Sequence, residues 1–190
     1  MTSTYTLIAY AAWALILVVW IPGSFTSRKA VRSGRPVLQV AATSLIALAF
    51  VLLFQRRTEG VLGTRLTDVP VLIALLADLV CVAALLFAIW ARLTLGRNWS
   101  GALASVGENH ELVVAGPYKY VRHPIYAGFL LAMLATAVTI GTLASYLAVA
   151  VALVAFLLRM GLEEALMLSQ FPEAYRAYQK QTAALIPFVC

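Results

Sequence analysis

The chain has 190 residues, of which 63% are hydrophobic and only 12% are charged, and its mean hydropathy is +0.91. Soluble domains are about half apolar and about a quarter charged, so this composition excludes an ordinary soluble globular protein. The net charge of +6 does not indicate a nucleic-acid partner, because the cations lie between hydrophobic segments, where positive charge records membrane topology.

Five hydrophobic segments predict five membrane-spanning helices: Tyr5–Ile21, Val37–Phe54, Val71–Ala91, Ile125–Ile140 and Leu143–Leu158. A helix needs roughly 20 apolar residues to cross a hydrocarbon core of about 30 Å, and the first three segments come close to that length. The first segment has no signal-peptide cleavage pattern after it, so we interpret it as a retained span. The last two are shorter and only Gly141 and Thr142 separate them, which predicts a tight helical hairpin.

The residues after the fifth span predict a helix that continues beyond the membrane over 159–180, which Pro172 bends or restarts. A short apolar tail, Ala183–Val189, is expected to follow on the bilayer surface. The expected fold class is therefore all-α: a multi-pass transmembrane bundle of about five spans with a C-terminal helix at the cytosolic face. We expect one membrane domain over 1–190, with three N-terminal spans in 1–91 and a functional core in 92–190.

The distribution of cations predicts the orientation of the bundle. With five spans, the first loop, the segment 92–124 and the C-terminal region lie on one side of the membrane. That side carries eleven of the fourteen Lys and Arg residues, and the second loop carries the other three, Arg56, Arg57 and Arg65. The positive-inside rule places the cation-rich side in the cytosol.

The cysteines do not indicate chemistry. Cys81 lies inside a hydrophobic segment and is expected to be a small packing residue, and Cys190 is the last residue, so it does not form a C-a-a-X prenylation box. No Cys and His residues have metal-ligand spacing, so we expect no metal.

The most unusual segment runs from Gly116 to Tyr126, with the sequence GPYKYVRHPIY. It places three tyrosines, two prolines and His123 at the start of the fourth span, where the free N–H groups of a helix terminus favour anions. Tyr118, Tyr120 and Tyr126 can stack on a purine or bond a ribose, which predicts a polar cofactor site. The alternative is an interfacial belt of aromatic residues with cations that reach lipid phosphates.

A second group of charges follows the fifth span. Arg159 and Glu163 are four residues apart and share a helix face, whereas Glu164 lies about 100° around the helix. Ionisable groups at the end of a hydrophobic span usually face the bundle interior or a cavity, which favours a functional pair. The alternative is a surface ion pair that contributes only tenths of a kcal/mol.

Two further polar features allow more than one interpretation. Asp78 is the one acid inside the first three spans, and we expect a helix–helix hydrogen bond or a cavity-facing carboxyl. The run Arg97-Asn98-Trp99-Ser100 at the end of the third span fits either a substrate or cofactor contact or interfacial anchoring.

The order of these motifs resembles that of the isoprenylcysteine carboxyl methyltransferase family and of the wider group of small membrane methyltransferases that includes phospholipid N-methyltransferases. The resemblance covers roughly residues 92–189, and the first two spans of the chain carry no such signature. The matching residues are Gly96–Ser100, His110–Val113, Gly116–Tyr118, Arg122–Gly128, Arg159, Glu163-Glu164, Phe171, Glu173–Tyr178 and Ile186–Phe188. Pro172 departs from the pattern, because many members have glycine there.

The resemblance implies S-adenosylmethionine as the cofactor, bound at the cytosolic membrane face. It assigns the cofactor contacts to His110, Glu111, Leu112, Val113, Tyr118, His123, Pro124, Ile125, Tyr126 and Glu163. It implies that Arg159 faces the substrate, and we take Arg159 and Glu163 as the catalytic candidates and Trp99 as a second substrate contact. The expected enzyme is an integral membrane methyltransferase, in the cell membrane if the source is prokaryotic, with lipid around it.

The expected reaction is methyl transfer to a lipophilic acceptor, such as a prenylated cysteine or a small isoprenoid or fatty acid. A carboxylate is favoured, because it is already ionised at pH 7 and needs no general base. One alternative is N-methylation of an amine such as a phospholipid head group, with Glu164 or a tyrosine as base. Another is an NADPH-dependent membrane reductase, and a third is a membrane protein without catalysis.

Overall fold

The computed structural model describes residues 4–26, 30–33, 35–55, 59–99, 105–107 and 111–187, which form six α-helices and one small antiparallel sheet. The helices are α1 Thr4–Thr26, α2 Pro36–Phe54, α3 Val71–Leu95, α4 Pro124–Ile140, α5 Leu143–Gln170 and α6 Pro172–Gln181, and the strands are β1 Ala30–Ser33 and β2 Ser105–Gly107. The expected all-α bundle is confirmed. The two short strands are an addition that the hydrophobic pattern does not reveal.

The five predicted spans coincide with α1 to α5. Among the described residues, α2, α3 and α5 are long and apolar enough to cross a membrane, whereas α4 and the apolar stretch Leu7–Ile16 of α1 are shorter. The helix that was expected to continue beyond the fifth span does so, since α5 extends for three turns beyond Leu158 to Gln170. It ends where predicted, since Pro172 starts α6 after a break at Phe171.

The contact between α3 and α4 depends on small residues. A Cβ atom added to Gly128 would lie 2.7 Å from the carbonyl oxygen of Ala84 and 3.0 Å from the Cβ of Ala88, so only glycine permits this approach. Helices associate in lipid through close backbone contact of this kind, because lipid tails are as apolar as the side chains and the hydrophobic effect does not drive helices together. The packing holds α4, and with it the segment before α4, at a fixed height on α3.

The turn between α4 and α5 is also built around a glycine. Gly141 has φ +75°, and its carbonyl oxygen accepts hydrogen bonds from the N–H groups of Leu66 (2.8 Å) and Thr67 (3.2 Å). A reciprocal capping box between Thr142 and Ser145 then starts α5. The loop between α2 and α3 therefore covers the predicted hairpin turn, and both lie at one end of the bundle.

The opposite end collects the remaining connections. β1, from the first loop, pairs with β2, from the segment after α3. The N–H groups of Arg122 and His123 donate to the carbonyl oxygens of Ala183 (2.9 Å) and Ala184 (3.0 Å), so the start of the expected apolar tail pairs with the entry to α4. The first loop, the segment 92–124 and the C-terminal region thus share one end, as the count of five spans predicts.

Candidate active site

The extension of α5 beyond the predicted span brings its charged residues to the entry of α4. Arg159 is only 5% exposed although it is a cation, and Glu163, one turn later, has a side chain that is 27% exposed. These values rule out the surface ion pair, because an exposed pair would leave both heads in water. The pair faces the inside of the bundle end, as ionisable groups near a membrane are expected to do.

Tyr126 connects this pair to α4. Its hydroxyl donates a hydrogen bond to Oε1 of Glu163 and accepts one from Nε of Arg159 at 3.2 Å, while a terminal nitrogen of Arg159 lies 3.5 Å from the same carboxylate oxygen. Three side chains from two helices therefore form one hydrogen-bonded group. The ring of Tyr126 stacks on Phe156 of α5 at a centroid distance of 4.7 Å, which fixes the direction of its hydroxyl.

His123 lies between two carboxylates. Its Nδ1 is 3.5 Å from Oε2 of Glu163, and its Nε2 is 3.2 Å from Oε1 of Glu164. Burial alone would lower the pKa of His123, but the hydrogen bonds and negative charges of the two glutamates outweigh burial and raise this pKa above its ordinary value. The ring is only 7% exposed and is nearly parallel to that of Tyr126, at 5.7 Å between centroids.

Arg122 joins this group to the C-terminal helix. Its Nε donates to Oε1 of Glu164 at 2.8 Å, and NH1 donates to the carbonyl oxygens of Gln179 (3.3 Å) and Thr182. Nε2 of Gln179 donates to the other oxygen of Glu164 at 2.9 Å. Sequence reasoning quoted Arg122 within the motif but gave it no role. The adjacent Arg and His before a helix-starting proline, with paired acids downstream, are the signal that points to these contacts.

The tyrosines of the expected cofactor segment differ in their surroundings. Tyr118 is 7% exposed and packs with Ala91 and Ile125, whereas Tyr120 is 57% exposed. Burial and the nearby charge of Glu163 raise the pKa of Tyr118 well above its ordinary value, so its phenol stays neutral. Tyr178 of α6 donates to the carbonyl oxygen of Tyr118 at 2.6 Å, which ties α6 to this segment.

The remaining predicted cofactor residues are only partly brought together. Val113 packs against the cluster of Ala91, Tyr118 and Ile125, and Leu112 beside it is half-buried. Pro124 is buried in the first turn of α4. Glu111 is exposed, and its N–H donates to Oδ1 of Asn98 at 3.4 Å. His110 and Ser100 lie outside the described residues.

Trp99 belongs to an aromatic group that sequence reasoning did not find. The guanidinium of Arg92 lies 4.0 Å from the ring centroid of Trp99, a cation–π contact, and Trp20 of α1 meets Trp99 edge to face at 6.3 Å. Trp20 also contacts Phe129 of α4 at 5.2 Å, and Phe129 is nearly parallel to Phe156 at 6.5 Å. A series of rings therefore runs from α1 to Tyr126 beside the charged group.

Asp78 lies outside this site. It is 3% exposed, and Oγ1 of Thr139 donates to its Oδ1 at 3.5 Å across the contact between α3 and α4, the helix–helix hydrogen bond that was one of its two expected roles. No group of three or more potential metal ligands occurs among the residues that the structure describes.

These features define a helical membrane protein with a buried cluster of ionic and aromatic side chains at one end. Residues 74–169 match the profile of the Isoprenylcysteine carboxyl methyltransferase (ICMT) family. The chain belongs to this family. The matched range contains Trp99, Tyr118, His123, Tyr126 and the acids of α5, and it leaves out α1, α2 and α6.

Several curated proteins are similar to parts of the chain. A protein-S-isoprenylcysteine O-methyltransferase of Schizosaccharomyces pombe is 36% identical over 96 residues, which cover 50% of this chain and 41% of that protein. The cobalt-zinc-cadmium resistance protein CzcN of Cupriavidus metallidurans is 36% identical over 99 residues, covering 50% of this chain and 44% of that protein. Methanethiol S-methyltransferase 1 of Bradyrhizobium diazoefficiens is 38% identical over 71 residues, covering 37% of this chain and 24% of that protein. The chain matches less than half the length of each of these relatives.

A solved structure shares the fold. The eukaryotic intramembrane Ras methyltransferase ICMT aligns with a TM-score of 0.59 and 24% sequence identity, over 96% of this chain and 63% of that one. The likeness extends to α1, α2 and α6, which the family match leaves out.

Proposed function

We propose that the protein transfers a methyl group from S-adenosylmethionine to the carboxylate of a lipophilic acceptor at the membrane surface. The observation that carries the proposal is the hydrogen-bonded group of Tyr126, Arg159 and Glu163, with His123 beside it, in a chain of the ICMT family. The relatives from S. pombe and B. diazoefficiens, both named as methyltransferases, support the class of reaction.

The side chains near Glu163 fit the cofactor by their chemistry. When bound, S-adenosylmethionine supplies an electrophilic methyl group on a sulfonium. Glu163 keeps accessible surface, with 27% of its side chain exposed, and its carboxylate suits cationic and hydroxyl groups. Leu112, Val113 and Tyr118 offer apolar and ring surface that suits an adenine.

The balance of charge favours an anionic acceptor. The charged site consists of Arg122, His123 and Arg159 as cations against Glu163 and Glu164 as anions, so it carries one excess positive charge when His123 is protonated. Arg159 presents a planar guanidinium, the group best suited to hold a carboxylate. The same excess positive charge would repel an ammonium acceptor.

Positioning supplies the catalytic effect that such a site can offer. A carboxylate acceptor needs no proton removed at neutral pH, so the residues have to align the two reactants and exclude water. Alignment can account for roughly 7–11 kcal/mol of barrier lowering. The buried Arg159 and the stacked ring of Tyr126 are held firmly enough for this role.

The alternative of amine N-methylation has a specific weakness. It requires a general base, and Glu164 or a tyrosine was the expected candidate. Both carboxylate oxygens of Glu164 accept hydrogen bonds, from Arg122 and Gln179, and His123 faces the same oxygen as Arg122. A carboxylate with this many donors is stabilised in its charged form and is a poor proton acceptor.

The orientation and the acceptor are part of the proposal. The site lies at the end of the bundle that collects most of the cations, so the positive-inside rule places it at the cytosolic face. The ring series from Trp20 through Phe156 leads to Tyr126 of the charged group. The hydrophobic part of an acceptor would lie along these rings while its carboxylate reaches Arg159.

The cofactor is tested by titrating the detergent-purified protein with S-adenosylmethionine and, separately, with NADPH. We expect saturable binding of S-adenosylmethionine only, weakened about 10-fold or more in Glu163→Ala, as for the loss of a hydrogen bond to a charged group. Glu173→Ala, an exposed glutamate of α6, is the matched control and should bind as the wild type does. Binding of NADPH alone would favour the reductase, and binding of neither would favour a protein without catalysis.

The acceptor is tested by offering a prenylated cysteine, a lipophilic amine and a small thiol with labelled cofactor. We expect a methyl ester to form on the first, and Arg159→Lys to lower kcat/KM for that acceptor about 10-fold or more without weakening cofactor binding. Methylation of the amine or thiol instead would contradict the carboxylate assignment.

A further inference from the structure

We propose that Glu164 is a positioning residue: it holds His123 in its protonated form, and protonated His123 in turn fixes the carboxylate of Glu163. Nothing in the family match distinguishes the two adjacent acids of α5, and sequence reasoning considered Glu164 as a base. The proposal rests on the proposed function, because the residue that Glu164 positions is the expected cofactor ligand.

The geometry around the imidazole requires two donors. Nδ1 of His123 faces Oε2 of Glu163 at 3.5 Å, and Nε2 faces Oε1 of Glu164 at 3.2 Å. Ionised carboxylates only accept hydrogen bonds, and a neutral imidazole has one N–H group. Only the imidazolium can donate to both carboxylates at once. Loss of either carboxylate therefore removes the contact that stabilises the second proton of the ring.

Glu164 is itself held in place from two other elements. Oε1 accepts from Nε of Arg122 at 2.8 Å, and Oε2 accepts from Nε2 of Gln179 at 2.9 Å. Arg122 also binds the carbonyl oxygens of Gln179 and Thr182, so α6 and the segment after it fix the position of Arg122. Glu164 thereby transmits the placement of α6 to the imidazole.

The other charged and titratable groups near His123 come from four elements. Glu163, Glu164 and Arg159 lie on α5, Tyr126 lies on α4, Arg122 and Tyr118 belong to the segment before α4, and Tyr175 and Tyr178 lie on α6. The phenols stay neutral near pH 7, since burial raises the pKa of Tyr118 and Tyr175 and raises that of Tyr178 to about 12. The two glutamates are therefore the groups that can hold the imidazolium.

The first test measures the titration of His123 by NMR of histidine-labelled protein in detergent. The sequence has two histidines, and the loss of one resonance in His123→Asn identifies the one of interest. We expect Glu164→Gln to move the midpoint of the His123 titration to lower pH by about one pH unit or more, because an adjacent opposite charge is removed.

A second variant separates this role from a merely structural one. Arg122→Gln breaks the same ion pair but removes a cation, so the midpoint should stay unchanged or move to higher pH. If Glu164 served only to attach α6, the two variants would loosen the same contact and move the midpoint in the same direction. That result, or an unchanged midpoint in Glu164→Gln, overturns the proposal.

Gln179→Ala keeps the test decisive if Arg122→Gln does not fold. It removes the contact of α6 with Oε2 of Glu164 while leaving all charges in place, so the midpoint of His123 should not move. A downward movement as large as that of Glu164→Gln would assign the effect to loosening of α6 and would refute the positioning role.

The second measurement is the dissociation constant of S-adenosylmethionine across pH 5–9. In the wild type the affinity should fall as pH rises through the His123 midpoint. In Glu164→Gln the fall should begin at lower pH by the same interval as the NMR midpoint, with affinity recovered under acidic conditions. An NMR shift without this change in the binding profile counts against the proposal. If the wild type binds no S-adenosylmethionine at any pH, the proposed function fails, and the titration alone decides the role of Glu164.

Discussion

At the scale of single residues, each charge of the site is held by specific partners. Removing charges from water near a bilayer is costly unless they are paired and hydrogen-bonded. The carboxylate of Glu163 is bound by Tyr126, Arg159 and His123. That of Glu164 is bound by Arg122, His123 and Gln179. The two acids are neighbours in sequence and share His123, but their other partners differ, because one residue corresponds to about 100° of helix rotation.

The raised pKa of His123 makes the stability of the protein depend on pH. Its folded-state pKa lies above the ordinary value of about 6.5, so the proton contributes stability that is fully present below pH 6.5 and is lost as pH rises through the folded-state pKa. We expect the midpoint temperature of thermal unfolding of the wild type to decrease as the pH is raised from 6 to 9. The change is measured by thermal unfolding in detergent.

His123→Asn is the control for this pH effect. It removes the titrating group and should start from a lower thermal midpoint at pH 6, with a smaller further decrease by pH 9. Equal decreases in the wild type and the variant would show that other groups account for the pH dependence.

At the scale of elements, two features determine where the site residues lie. The first is the length of α5, whose final three turns reach the segment before α4. The second is the close contact of α3 with α4 at Gly128, which sets the height of the α4 N-terminus and of His123. α6 contacts both regions: Gln179 donates to Glu164 of α5, and Tyr178 donates to the carbonyl oxygen of Tyr118 in the segment before α4.

Gly128→Ala is expected to destabilise the bundle. The added Cβ would lie 2.7 Å from the carbonyl oxygen of Ala84, so α4 must move away from α3, at a cost of about 1–3 kcal/mol in the free energy of unfolding. The shift also displaces His123, and cofactor affinity should fall with stability. Unfolding in mixed detergent measures the first effect.

Gly161→Ala is the matched control on α5. A Cβ at Gly161 meets nothing within 4 Å, and alanine favours a helix over glycine by up to about 1 kcal/mol. This variant should be as stable as the wild type or more so. A loss of stability equal to that of Gly128→Ala would indicate a general sensitivity of the helices and not a specific contact.

At the scale of the whole molecule, the connections separate into two ends. The loop between α2 and α3 binds the turn between α4 and α5, through Leu66, Thr67 and Gly141. β1 and β2, the segment before α4, and α6 are at the opposite end. The grouping agrees with the distribution of Lys and Arg, so the fold and the charge bias give the same topology.

Cysteine labelling tests which end faces the cytosol. In a Cys190→Ser background, where Cys81 is fully buried, Asp68→Cys should react with an impermeant maleimide on right-side-out membrane vesicles. Lys180→Cys on α6 should react only after the membrane is permeabilised. The reverse pattern would place the site outside the cytosol, and labelling of both without permeabilisation would contradict the membrane topology.

The sequence predicted most of the helices and the order of the site motifs. Long apolar runs specify spans because transfer into lipid depends on local composition, and Pro172 and Gly141 mark breaks because their backbone effects are also local. The Tyr-rich segment and the pair Arg159–Glu163 were likewise recognisable from residue types and spacing.

The tertiary structure alone decided which of these side chains meet. The bonds of Tyr126 with Glu163, of Arg122 with Glu164 and of Tyr178 with Tyr118 join residues 37 to 60 positions apart. Such contacts depend on how far α5 continues beyond the apolar run, on the rotation of each helix and on the depth at which Gly128 lets α4 approach α3. A hydrophobic pattern contains none of these quantities, because they arise from the packing of all helices together.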